Sequence, residues 1–233
     1  MVNDWLNNAQ SICFPSHCVL CGSAGEAELD LCSGCQNDLM GITNPCYQCG
    51  LPLTGNEKMH CGECLKAPPC FDHVVCGYPY QRPFSSLVQG LKFNARLQYA
   101  RLIAQLMAKQ INRYSEPLPE LLIPVPLHVI RTRERGFNQA LELARILSRE
   151  FTINMDFKSC QRVRLTRAQS SLDATRRRAN VKQAFSLVKP LTAHHVAIVD
   201  DVMTTGNTVN ALARLLKKSG VKMVDVWVAA RTL

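Results

Sequence analysis

The stretch Val196-Ala197-Ile198-Val199-Asp200-Asp201-Val202-Met203-Thr204-Thr205-Gly206-Asn207-Thr208 decides the fold of this 233-residue chain. Its first four residues are apolar without a polar interruption, the pattern of a strand buried on both faces of a parallel sheet. Two carboxylates close the strand. Hydroxyls at Thr204, Thr205 and Thr208 follow, with Gly206 in the turn. A helix then begins, with Val209, Leu212, Ala213 and Leu216 on one face and Lys217-Lys218 in its last turn. Gly220 is placed as its stop, and Val224–Val228 reads as the next strand. Ligands of open α/β folds sit at the carboxyl ends of the strands. The first backbone N–H groups of a helix have no partner within it, and its dipole favours an anion there. The hydroxyls therefore complete a phosphate cup. The carboxylates are badly placed for that phosphate. They are well placed to accept hydrogen bonds from sugar hydroxyls, or to engage Mg²⁺ through water. A phosphorylated ribose satisfies both halves. The Gly-x-x-x-x-Gly-Lys arrangement of a Walker A loop is absent. The plainer alternative is an ordinary helix start, with Thr204 or Thr205 merely capping it.

Working outward, Asp72–Tyr80 predicts a strand and Ser85–Lys92 a turn or helix start. A helix is expected from about residue 97 to Arg113, where Leu102, Leu106 and Ile103, Met107 recur at helical spacing. Pro117 and Pro119 end it, and Leu121–Pro126 is a short apolar strand running into a loop. Gly136–Glu150 predicts another helix, with Ala140, Leu143, Ala144 and Leu147 on one face. Strands alternating with helices give an α/β fold with a mostly parallel sheet.

The amino-terminal third differs. Residues 1–76 hold eleven of the 12 cysteines and a net charge of −6; residues 77–233 hold one cysteine and +15. The chain thus divides into a small acidic Cys-rich module, expected over 10–70, and a basic domain over 71–233. Eight cysteines form four Cys-x-x-Cys pairs: Cys18/Cys21, Cys32/Cys35, Cys46/Cys49 and Cys61/Cys64. Ten residues separate the first two pairs and eleven the last two. Two such turns supply the tetrahedral thiolate shell of one structural Zn²⁺, so eight cysteines make two zinc sites. Sequential pairing suits the tandem look of the two units; a cross-braced pairing has the same composition. A disulfide scaffold fits less well, because no basic segment leads into an apolar core at the start and the basic domain has no cysteine pairs. A cytoplasmic protein is expected. No stretch approaches the length of apolar chain that a membrane span requires, so membrane insertion is not expected. Gly22 and Gly50, each just after a pair, suit a tight metal-binding turn.

The stretch Val196–Thr208 resembles the ribose-phosphate signature of type I phosphoribosyltransferases, which bind 5-phosphoribosyl 1-pyrophosphate. Four further features are similar to the ComF family (GntX-like proteins): the four cysteine pairs with Cys64–Asp72, Leu91-Lys92-Phe93, Ile123–His128, and Arg131–Ala140. The likeness runs from about Cys18 to the end of the chain. It implies a mostly parallel sheet with helices on both faces, preceded by a double zinc-ribbon-like module. It also implies that Asp200 and Asp201 contact the ribose 2′- and 3′-hydroxyls, while Thr204, Thr205, Gly206, Asn207 and Thr208 hold the 5′-phosphate. Val125–Arg135 would receive pyrophosphate, with His128 and Arg131 as ligand contacts. Arg131, Arg133 and Arg135 stand at alternate positions, so an extended segment would aim them to one side. The region 162–182, with Arg176 as a ligand contact, resembles the mobile hood of these enzymes.

Residues 127–182 carry thirteen basic residues against five acidic. Their phosphate partner is either the small ligand or a nucleic-acid backbone, and a backbone-tracking groove fits better than a stacking platform because aromatics are few. Glycosyl transfer with pyrophosphate release would need Mg²⁺ and rigid positioning. Asp200 and Asp201 would then act with Arg133 and Arg135, which stabilise the leaving group. His128 and Asp201 are the candidate bases. Three readings follow. One is a ComF-type protein linked to competence and to uptake or use of external DNA, with single-stranded DNA and a DNA-uptake protein as partners. The second is an active phosphoribosyltransferase of unknown acceptor. The third is a silent ligand sensor whose zinc module docks a protein.

Overall fold

The computed structural model describes residues 17–26, 29–53, 59–94, 98–114, 117–163 and 184–233, without the side chains of residues 93, 94 and 114. Strand β6 (His195–Met203) is the centre of a five-stranded sheet. It pairs with β7 (Met223–Arg231) on one side and β2 (Leu121–Pro124) on the other. Beyond them lie β1 (His73–Pro79) and β3 (Asn154–Met155), in the order β1-β7-β6-β2-β3, and every ladder is parallel. A short antiparallel pair, β4 (Cys160–Arg162) and β5 (Phe185–Leu187), stands apart.

Period-two alternation distributes β6 between two cores. Ala197 and Val199 face helices α3 (Phe84–Asn94), α4 (Gln98–Tyr114) and α6 (Gln139–Glu150). Val196 and Ile198 face α7 (Asn207–Lys218), whose Val209, Leu212, Ala213 and Leu216 are buried as their spacing requires. Helices on both faces explain why the central strands read as continuous apolar runs.

Two sequence expectations change. The helix expected from Gly136 begins at Gln139, where the Asn138 side chain accepts from the Ala140 N–H at 3.1 Å. The segment before it is helical rather than extended: α5 (Val129–Arg135) is capped by His128 and ended by Gly136 at φ 78°. A cap at one end, a left-handed glycine at the other and the Arg131–Glu134 pair hold this short helix although Val129, Ile130 and Thr132 are β-branched.

The cysteine module consists of two similar lobes. In each, a Cys-x-x-Cys turn closes onto a glycine with positive φ (Gly22 at 80°, Gly50 at 72°). The second pair of each lobe starts a helix: Cys32 caps α1 (Ser33–Asp38) and Cys61 precedes α2 (Gly62–Lys66). The module shares the core of the sheet domain. Leu29, Leu31 and Leu39 of the first lobe are buried in the same cluster as Tyr78, Phe84 and Leu91. The second lobe covers the outer edge of β1. There the Ile42 N–H donates to the Gly77 carbonyl at 2.9 Å, and the Val74 N–H donates to the Tyr47 carbonyl at 3.0 Å. The Tyr47 ring stacks on His73 at 4.1 Å. A Cβ on Gly50 would stand 3.2 Å from Val74 Cγ1 and 3.3 Å from Cys76 Cβ, so that turn needs glycine for space as well as for its φ. An edge strand is thereby kept from pairing with another chain.

Candidate functional site

The two carboxylates at the end of β6 sit in different surroundings. Asp201 is only 7% exposed, and its Oδ2 lies 2.8 Å from Lys92 Nζ, which reaches over from the last turn of α3. Its Oδ1 accepts from the Val202 N–H at 2.7 Å. Asp200 Oδ1 accepts from the Asp201 N–H at 2.9 Å. Burial, and then the adjacent Asp201 carboxylate, push the Asp200 carboxyl up to about 7; Lys92 and Arg162 act in the opposite direction. Arg162, at the end of β4, packs its guanidinium 5.6 Å from the Phe185 ring centroid. It feels both Asp200 and the like charge of Arg131. Lys92 and Arg162 are therefore companions of the acidic pair that residue spacing does not reveal. For Lys92 the available signal was its place in the Leu91-Lys92-Phe93 motif; for Arg162 there was only the general basic run.

The Lys92–Asp201 pair is expected to be structural as well as local. Truncating Lys92 leaves a buried carboxylate without its cation, at a cost of about 3 kcal/mol. Urea unfolding of Lys92→Ala should show that loss, and adding Asp201→Asn should recover most of it. A double variant no more stable than Lys92→Ala would show that the two residues are not coupled.

After β6 the chain turns through Thr204 and Thr205, both exposed, to Gly206 at φ 73°. Gly206 is the N-cap of α7, and no side chain caps this end. Neither threonine therefore spends its hydroxyl on capping, and the first-turn N–H groups are left for an incoming anion. Asn207 and Thr208 are half-buried in that first turn. The positive φ explains the glycine, since an L side chain is strained there.

Parallel pairing of β2 with β6, Pro124 beside Val199, brings the 128–135 segment next to the acidic pair. His128 is half-buried and its Nδ1 accepts from the Ile130 N–H at 3.3 Å, so the ring is already used as a helix cap. Because the segment is helical, its three arginines do not share a side. Arg131 and Arg135 fall on one face and Arg133 on the other. Arg131 pairs with Glu134 at 3.2 Å, Arg135 Nη1 donates to Gln139 Oε1 at 3.1 Å, and Arg133 is exposed. Arg176 lies outside the described residues, as does nearly all of the 162–182 region.

The cysteines form two tetrads, Cys18, Cys21, Cys32 and Cys35, and Cys46, Cys49, Cys61 and Cys64. Within each, all four Sγ atoms lie within 4.8 Å of one another, which decides for sequential over cross-braced pairing. Cys21 and Cys32 Sγ stand 3.6 Å apart, as do Cys49 and Cys61. Backbone N–H groups aim at the sulfurs: Cys35 N at Cys32 Sγ (3.4 Å) and Cys61 N at Cys46 Sγ (3.2 Å). Four thiolates at tetrahedral spacing with N–H···S support fit Zn²⁺ and leave no open coordination position.

Comparison with known proteins agrees with this geometry. Residues 9–65 match the double zinc ribbon domain, and residues 100–232 match the phosphoribosyl transferase domain. The chain is 39% identical to competence protein F of Haemophilus influenzae, over 94% of this chain and 98% of that protein. It is 37% identical to DNA utilization protein YhgH of Escherichia coli K12, over 87% and 91%. Competence protein ComFC of Streptococcus pneumoniae is 22% identical over 92% and 99%.

Proposed function

The chain belongs to the ComF family, in which a double zinc ribbon precedes a phosphoribosyltransferase domain, and on that premise we propose that it binds a phosphoribosyl pyrophosphate-like ligand in the service of taking up or using external DNA. The observation that carries the ligand assignment is the pairing of two confined carboxylates, Asp200 and Asp201, with an uncapped helix start one turn further on. The helix start takes the 5′-phosphate on the backbone N–H groups and hydroxyls of Thr204, Thr205, Gly206, Asn207 and Thr208. Asp200 accepts from the ribose hydroxyls, with Asp201 held beside it by Lys92. The segment from His128 to Arg135 receives the pyrophosphate. Its helical form favours Arg131 and Arg135 acting from one face, or Arg133 from the other, over all three together.

Mg²⁺, when bound, would offset the charge of pyrophosphate and polarise the sugar hydroxyls; Asp200 and Asp201 are the residues that would hold it through water. Arg162, which interacts electrostatically with Asp200 and Arg131, adds positive charge where the departing pyrophosphate develops negative charge. The link to DNA rests on the family and on the basic run over 127–182, which offers phosphate contacts along a strand. A cytoplasmic setting and a DNA-uptake protein as partner belong to the same proposal.

Calorimetric titration of phosphoribosyl pyrophosphate with Mg²⁺ into the zinc-loaded protein tests the ligand. Binding is expected in the micromolar range, lost in the Asp200→Asn/Asp201→Asn double variant with its far-ultraviolet dichroism unchanged. A folded wild-type protein that takes up no ligand would overturn the assignment. Pyrophosphate release measured in the same samples, with nucleobases and single-stranded DNA as acceptors, separates a transferase from a binding protein.

A further inference from the structure

Between the second cysteine lobe and the first turns of α7 lies a cavity of about 570 Å³, the size of a small-molecule site. Neither Asp200 nor Asp201 lines it. Two guanidinium groups do. Arg214, on α7, is half-buried and makes no hydrogen bond or ion pair among the described residues. Arg231, at the end of β7, is only 7% exposed. Its Nε donates to the Cys49 carbonyl at 3.1 Å and its Nη1 to the Met203 carbonyl at 3.1 Å, while Nη2 has no partner among the described residues. The lining also includes Pro68, Pro69 and Phe71, an apolar surface. Its carboxylate is Glu63 of the cysteine lobe.

We infer that this cavity binds a nucleotide unit, its phosphate held between Arg214 and Nη2 of Arg231 and its base laid against Pro68 and Pro69. Two guanidiniums in one cavity call for an anion with several oxygens, which Arg donors match in pairs. The apolar side calls for a flat, weakly polar body attached to that anion. Glu63 supplies an acceptor for an exocyclic amine of the base. Arg231 is already committed to two carbonyls beside a thiolate tetrad, so Arg214 carries most of the phosphate contact. A free nucleotide and a nucleotide within a single strand present the same chemistry here. Thr205, Gly206 and Asn207 also line the cavity, so it backs onto the turn assigned to the 5′-phosphate, while Asp200 and Asp201 stay outside it; the aspartate variant therefore distinguishes failure of this inference from failure of the phosphoribosyl reading.

The test is fluorescence anisotropy on the zinc-loaded full chain, with labelled deoxyadenosine monophosphate and a short labelled oligodeoxyadenosine as probes. Arg214→Ala removes the main anion contact. Ala67→Trp fills the cavity from an exposed lining position without touching either arginine. Each is expected to weaken binding by about tenfold or more, while Asp200→Asn/Asp201→Asn leaves it within about twofold. Tighter binding of the oligonucleotide assigns the site to a strand, and preference for the monophosphate assigns it to a free nucleotide. The inference is overturned if neither probe binds, if binding survives in either cavity variant, or if it is lost in the aspartate double variant.

Discussion

Stripping zinc with a strong chelator is expected to destabilise the sheet domain and not only the cysteine module. The module has few apolar residues of its own, so metal coordination supplies much of its folding free energy. What it does hold is shared: Leu29, Leu31 and Leu39 are part of the α3–α4 core, and Leu31 is 0% exposed. Releasing one such leucine to water costs about 2 kcal/mol. The second lobe also satisfies the outer edge of β1 through Ile42 and Tyr47. Loss of that lobe leaves the Val74 N–H and the Gly77 carbonyl to water and exposes an edge strand. Cys64→Ser, which breaks the buried second tetrad, is expected to cost about 3 kcal/mol or more by the same route. Hydrogen exchange gives the sharpest readout. The Val74 amide, which points out of the sheet to Tyr47, should lose protection in the chelated protein. The amides of β6 at the centre of the sheet should lose less. Full protection of Val74 after zinc removal would mean that the lobe holds its place without metal.

Replacing Asp200 by Asn should abolish phosphoribosyl ligand binding and, at the same time, stabilise the ligand-free protein at alkaline pH. The Asp200 carboxyl stands at about 7 in the folded chain against an ordinary 3.8. A group whose pKa is raised on folding stabilises the fold through its protonated form. That contribution is complete below 3.8 and is lost as pH rises through about 7. Above pH 7 the ionised carboxylate is confined beside Asp201 and costs stability. Asn keeps the shape without the charge, so its advantage should be at least about 1 kcal/mol near pH 8 and should vanish near pH 4. Thermal unfolding of both proteins across that range measures it. A curve parallel to that of the wild type would show that Asp200 does not titrate in this window. Ligand binding runs in the opposite sense, because accepting from ribose hydroxyls requires the ionised form. Affinity of the wild type should fall roughly tenfold per pH unit below about pH 7. A site residue that destabilises its own fold is expected where the structure is shaped for a ligand.

The helix 129–135 shows where reading the chain went astray. Alternate arginines look like one charged side only if the backbone is extended. The cap from His128 and the left-handed Gly136 turn the segment into a helix, and the set splits into Arg131 with Arg135 against Arg133. His128 is not among the residues that commonly cap helices, Gly136 reads equally as the start of the next helix, and seven residues are too few for hydrophobic periodicity to register.

What the sequence determined by itself is whatever depends on neighbours along the chain. The apolar run of β6, its closing acids, the glycine turn and the amphipathic helix α7 follow from side-chain period and backbone conformation. The four Cys-x-x-Cys turns follow from the geometry of a metal-binding knuckle. Tertiary structure alone decided which pairs share a tetrad, that Lys92 and Arg162 attend the acidic pair, and that the cysteine module shares the core and closes an edge of the sheet. The partners in these contacts lie as many as 182 residues apart, as Cys49 and Arg231 do. Nothing in local conformation selects such partners. They are set by which faces must be buried together, and that is settled only when the layers pack.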